Sequence, residues 1–275
     1  FAIRTRTIKG DGNISIVSNQ ASGFINFPIT AGEPFGNITV SSSLDGVPAN
    51  GLTQILVRTN SIFDQYGNLI EDGTPIVFEL IGSGSISSGA NSKKFTALSI
   101  NGQVSAVVQS GTVAEEVTVR IKGGPIYNNL NEVIGYSANG EIKLNFEPGP
   151  AFGEFPIIST FNAIYANSNP PSDISIQSET IVTIGPLKDE FGNIVKENSE
   201  IQVEIENGFN ISGTIPEDNF SLFTDENGFA SFNLIGDNKR GNIIINAVSS
   251  SAQKTYNVWG YLRNRLSYSS SNNDV

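Results

Sequence analysis

The 275 residues of this sequence include no His, no Cys and no Met, which removes most of the side chains on which enzymes rely. Without His there is no imidazole base titrating near neutrality, and without Cys there is neither a thiolate nucleophile nor a zinc-thiolate site. Ser/His/Asp and Cys/His catalysis are thereby excluded. Paired carboxylates, or a metal held by oxygen ligands alone, remain as routes to catalysis. Adjacent carboxylates such as Glu115-Glu116 and Asp225-Glu226 could serve as acid and base. Neighbours on a strand point to opposite faces and turn residues are solvated, so both pairs read as surface charge. Gly82-Ser83-Gly84 and Gly123-Gly124 lack the Lys and following helix of a phosphate loop and read as turns.

One short motif stands out because it occurs twice. Asp64-Gln65-Tyr66-Gly67-Asn68-Leu69-Ile70 returns as Asp189-Glu190-Phe191-Gly192-Asn193-Ile194-Val195, with three identities and four conservative changes. Asp and Asn side chains bond nearby backbone amides and Gly supplies a positive φ, so Asp64, Gly67 and Asn68, with Asp189, Gly192 and Asn193, read as a structural turn. The alternative is calcium bound by Asp64 with Asp45 or Asp72, or by Asp189 with Asp225 or Asp218. None of these has the compact spacing of an EF-hand loop.

The elements around the motif repeat with it. Leu56-Val57 corresponds to Ile181-Val182, and Ile76-Val77-Phe78-Glu79-Leu80 to Ile201-Gln202-Val203-Glu204-Ile205. Phe95 to Gly102 parallels Phe223 to Gly228 with a short gap, after which Val104, Ala106 and Val108 alternate in one copy and Ala230, Phe232 and Leu234 in the other. Each copy holds about seven short alternating runs between turn signals, for example residues 55–58, 76–80, 103–109 and 117–122, which predicts an antiparallel sandwich. Phe78, Phe95, Phe223 and Phe232 are expected in the core.

A second match marks the joints: Ile25-Asn26-Phe27 followed by Phe35-Gly36 resembles Leu144-Asn145-Phe146 followed by Phe152-Gly153. Extended backwards, Thr5-Arg6-Thr7-Ile8-Lys9-Gly10 resembles Thr118-Val119-Arg120-Ile121-Lys122-Gly123. The expected organisation is residues 1–27 as the last strands of a preceding module or an N-terminal extension, modules at 28–146 and 147–262, and a polar tail at 263–275. Pro148-Gly149-Pro150 restricts the backbone, so the joint there is expected to be stiff. The start at Phe1, without Met or an apolar leader, is expected of a processed product.

Composition bounds the partners. With 27 Asp and Glu against 16 Lys and Arg the formal net charge is −11, which argues against nucleic acid or an anionic membrane surface as a partner. No apolar run reaches the roughly 18 residues of a membrane-spanning helix. With no Cys there is no disulfide, so buried apolar area alone must hold each module together.

Pro48-Ala49-Asn50-Gly51 before a strand, then Asp-x-Tyr/Phe-Gly-Asn, a strand, and later Asn-Gly with an alternating strand, together with Pro148-Gly149-Pro150-Ala151, resemble the bacterial Ig-like group 1 domains of invasin and intimin. The second copy departs from the pattern, with Pro170-Pro171-Ser172-Asp173 where the Pro-Ala-Asn-Gly signature is expected. The resemblance covers most of residues 28–262. It implies an all-β chain of tandem immunoglobulin-like antiparallel sandwiches in an exported, extracellular or cell-surface protein that is not an enzyme and carries no cofactor or metal. Its partners would be proteins: neighbouring modules, other assembly subunits or a surface receptor. The chain would serve as a stalk or adhesion segment. Two alternatives stay open: a subunit of a pilus, secretion apparatus or phage particle interacting by strand addition, and an accessory carbohydrate-binding module using exposed Tyr or Trp259.

Overall fold

The computed structural model describes residues 4, 6–86, 92–165, 178–210, 217–237 and 240–261, which form strands and turns with no helix. The chain divides into two compact units, Phe1–Glu147 and Pro148–Val275. The period-2 pattern explains why these segments are strands. In Gln54–Thr59, Ile55, Val57 and Thr59 turn inward; in Pro75–Ile81, Ile76, Phe78 and Leu80 do the same.

In unit 1, one sheet has the order Val40–Ser42, Gln54–Thr59, Ser105–Gln109, Ser85–Ile86. The facing sheet runs Gly36–Asn37, Val133–Glu147, Glu115–Tyr127, Pro75–Ile81, Lys94–Leu98, and Gly46–Pro48 also pairs in parallel with Val133–Glu147. Ile55, Val57 and Val108 from the first sheet meet Phe78, Val119 and Leu144 from the second in one apolar core. Unit 2 repeats this plan. Ile157–Ser159, Glu179–Ile184, Ala230–Gly236 and Gly208–Asn210 form one sheet; Ala163–Tyr165, Ala252–Tyr261, Gly241–Ser249, Glu200–Glu206 and Asn219–Phe223 form the other. The rings of Phe220 and Phe232 meet edge to face across the two layers, 5.2 Å between centroids. Two facing, mainly antiparallel sheets with this strand order make each unit an immunoglobulin-like sandwich.

The main difference between the units lies at one end. Gly123 pairs with Ala138 and Ser249 with Ala252, so residues 124–137 stand where unit 2 has only the turn Ser250-Ser251. Ahead of the first sandwich, Gly10–Ser18 and Ala21–Ile29 form a separate two-stranded ribbon.

The structure corrects two sequence expectations. Phe223 is 59% exposed and therefore not a core residue. Pro75 pairs with Leu98 and Glu200 with Phe223, so Phe223 matches exposed Leu98; the half-buried counterpart of Phe95 is Phe220. The likeness of Thr5–Gly10 to Thr118–Gly123 also fails in register. Gly10 opens its strand opposite Ile29, whereas Gly123 is the ninth residue of its strand, opposite Ala138. Pairing instead sets Ile14 opposite Ile25 as Val117 stands opposite Leu144. Pro170 to Asp173 and the tail at 263–275 lie outside the described residues.

Candidate functional site

The repeated Asp turn is the feature with the most organised polar chemistry. A bridge between Phe63 and Leu69 closes a small loop, and Gly67 occupies φ +81 at its tip. Asp64 sits inside the loop at 5% exposure. Its Oδ1 accepts the N–H of Tyr66 at 2.8 Å and of Asn68 at 2.9 Å; its Oδ2 accepts Asn68 Nδ2 at 2.9 Å and the N–H of Gly32 at 2.8 Å. The second copy has the same arrangement. Lys188 and Ile194 bridge, Gly192 has φ +86, and Asp189 accepts from Phe191, Asn193, Asn193 Nδ2 and Gly149, all at 2.9 Å.

Electrostatics follow from these donors. Burial raises the pKa of Asp64, but the Asn68 amide and the N–H groups of Gly32, Asn68 and Tyr66 outweigh it and hold the carboxyl at about 2. The Asp189 carboxyl is lowered by the same balance, with Asn193, Gly149 and Phe191 as donors against burial. Four N–H donors on two oxygens leave little capacity for a cation. Asp72 accepts from the Asn101 N–H at 2.7 Å, and Asp225 from Asn227 and Phe229 at 2.9 Å each. Among the described residues no cluster of three or more acidic side chains with metal-ligand geometry occurs.

In unit 1 the turn reaches further. Asn68 Nδ2 donates to the Thr7 carbonyl at 2.7 Å while its Oδ1 accepts the Lys9 N–H at 3.0 Å. Glu71 pairs with Lys9 Nζ at 3.0 Å and accepts the Ala31 N–H at 2.9 Å. The lead-in to the ribbon and the stretch after it are thus both held by one loop.

The other candidates do not converge on a site. Glu116 pairs with Lys143 at 2.7 Å while Glu115 accepts the Ser83 N–H at 2.7 Å. At Gly82-Ser83-Gly84 the carbonyls of Gly82 and Gly84 receive Lys93 Nζ at 2.6 and 2.7 Å, the polarity opposite to a phosphate cradle.

The sequence reading missed a second repeated lock. Ser99 Oγ donates to the Glu71 carbonyl at 2.6 Å and accepts the Thr74 N–H at 3.0 Å; Thr224 Oγ1 does the same with Lys196 at 3.1 Å and Ser199 at 3.0 Å. It also missed Gly32 and Gly149, the backbone partners of the two Asp residues. The signals were present: Ser99 and Thr224 share the spacing of Asp64 and Asp189, and Gly32 and Gly149 that of Phe35 and Phe152.

No family model and no curated protein matches the chain. Among solved structures, the Escherichia coli adhesin FdeC is 16% identical, with 93% of this chain and 75% of that one covered and a TM-score of 0.48. The Yersinia pseudotuberculosis adhesin InvE is 16% identical, covering 81% and 58%, at 0.34. A beta-glycosidase from Bacteroides vulgatus is 11% identical, covering 81% and 24%, at 0.29. The chain thus spans three quarters of the first solved chain and less than two thirds of the second. Intimin and invasin domains are also among the structural neighbours, the group that the sequence signature resembles. With these TM-scores below 0.5, the fold assignment rests on the strand order and register of this chain itself.

Proposed function

We propose that this chain is a non-enzymatic stalk or adhesion segment of an extracellular bacterial surface protein, in which tandem Ig-like modules space or present a binding element. The modules are those expected at residues 28–146 and 147–262, with residues 1–27 as the last strands of a preceding module, the second of which runs on to Ile29, and 263–275 as a tail. The observation that carries this reading is the repeated Asp turn. Its carboxylates commit their acceptor capacity to N–H groups of their own unit, three from the backbone and one from an Asn side chain, once per sandwich, which is the behaviour of a structural lock and not of a ligand site.

The ribbon supports the assignment of residues 1–27. Pairing places Ile14, Ile16, Ile25, Phe27 and Ile29 on one face, yet Ile16 is 69% and Ile25 60% exposed. The equivalent face of the first sandwich, Val117, Val119 and Leu144, is wholly buried. A two-stranded ribbon is marginal alone, so this face calls for the rest of a sandwich. The same face favours a second reading, an assembly subunit whose ribbon is completed by strands of another chain. Against a carbohydrate platform, Trp259 and Tyr261 meet edge to face at 69° and present no common plane.

Antibody labelling of intact producing cells tests the location. Signal without permeabilisation is expected; signal only after lysis would refute a surface role.

A further inference from the structure

The excursion at residues 124–137 continues the strands Glu115–Tyr127 and Val133–Glu147 beyond the sheet, where Pro125 to Tyr127 pair back with Tyr136 to Val133. Its direction is set by the parallel pairing of Gly36 with Ala138 and Asn37 with Asn139. Followed backwards from Ala138, the strand leaves the sandwich at the same end as the chain does when followed backwards from Gly36 towards the ribbon. The base of the excursion is tied to that connection, since Ser137 Oγ donates to the Pro34 carbonyl at 2.6 Å. Its outer part carries five uncovered apolar side chains around a polar tip held by Asn128 and Glu132: Ile126 is 45% exposed, Tyr127 53%, Leu130 78%, Val133 47% and Ile134 65%. Two uncovered apolar features, the ribbon face and this hairpin, therefore belong to one end of unit 1.

We infer that residues 124–137 form a brace that docks on the module preceding unit 1, the same module that completes the ribbon. The inference rests on the reading of residues 1–27 given above. The occupant follows from continuity: this end of unit 1 already binds the backbone on both sides of the ribbon through Asn68, Glu71, Asp64 and Ser137. A body built on the ribbon is the one whose surface the hairpin can reach without a second molecule.

The test compares the thermal unfolding of the 275-residue chain with that of a chain extended upstream by one module, roughly 100 residues. Each is measured with and without the pair Leu130→Asp and Ile134→Asp. In the 275-residue chain both sites are open to water, so its melting is expected to stay the same. In the extended chain the transition of the upstream module is expected to fall by about 4 °C or more. No shift there, while Ile14→Asp with Ile25→Asp abolishes the upstream transition, would overturn the brace and leave the ribbon reading intact. If the ribbon pair also changed nothing, the ribbon reading would fail and the brace with it. A dimer of the 275-residue chain in light scattering, dissolved by Leu130→Asp and Ile134→Asp, would make a second copy the occupant and overturn the inference.

Discussion

The Asp64 carboxylate accepts the N–H of Gly32 across 32 residues of chain at 2.8 Å, and Asp189 repeats the contact with Gly149 at 2.9 Å. In each unit a turn between two strands thereby holds the segment that enters the sandwich. The same oxygens organise the turn itself, so local and tertiary order share one side chain.

Asp64 is 5% exposed, and replacing it by Ala leaves the N–H groups of Gly32, Tyr66 and Asn68 without their acceptor. We expect a loss of about 2 kcal/mol or more in the stability of unit 1. Asp64→Asn should cost less than Ala, because its oxygen can still serve Tyr66 and Asn68 while its NH2 faces the donors of Gly32 and Asn68. Urea unfolding of the three proteins checks both the size and the order.

Acid should act through the same group. The Asp64 carboxyl is held at about 2 against an ordinary 3.8, so its stabilising contribution is fully present above about 3.8 and is lost as pH falls through about 2. Asp189 is lowered in the same direction. Stability measured between pH 5 and 2 should therefore decline towards the acid end, and Asp64→Asn should flatten that decline. An equal slope in wild type and variant would contradict this assignment.

Gly67 and Gly192 lie at φ +81 and +86, and a Cβ at either would meet nothing within 4 Å. Substitution by Ala thus costs backbone strain alone, about 1 kcal/mol at each site, and Asn should cost less because it tolerates the left-handed region. Thermal melts of Gly67→Ala and Gly67→Asn give the comparison.

The corrected register of unit 2 separates two phenylalanines. Phe232→Ala should cost about 3 to 5 kcal/mol, since that ring is 3% exposed and packs on Phe220. Phe223→Ala, at a 59% exposed site, should change stability by less than about 0.5 kcal/mol. Comparable losses from the two would mean that the Asn219–Phe223 strand is out of register.

Calcium should leave both units unaffected. A site bound only in the folded state would raise the melting temperature with ion concentration, and the saturated carboxylates of Asp64 and Asp189 offer none. Melting in millimolar calcium and in chelator should coincide.

What the sequence made legible was whatever is local. Alternation at Ile76, Phe78 and Leu80 marked a strand and its inward face, and the residue types of Asp64 to Asn68 marked a turn. The partners of that turn, Gly32 and Gly149, lie 32 and 40 residues away and bond through backbone N–H groups, so residue type alone did not mark them and only their shared spacing with Phe35 and Phe152 did. Phe223 was misread because aromatic identity aligned it with Phe95. On a strand an odd shift exchanges the two faces, and this shift was three residues. The likeness of Thr5–Gly10 to Thr118–Gly123 failed by a ten-residue slip, for Gly10 only opens its strand while Gly123 is the ninth residue of its own.

The most direct test of the proposed function is replacement of this chain, within the longer protein, by two unrelated immunoglobulin-like sandwiches of equal length. A spacing segment is interchangeable, so binding of the bacterium to its target surface should survive the exchange and fall when the chain is simply deleted. Loss of binding on exchange, with the protein still displayed on the cell, would contradict the stalk account and place recognition in the sandwiches themselves.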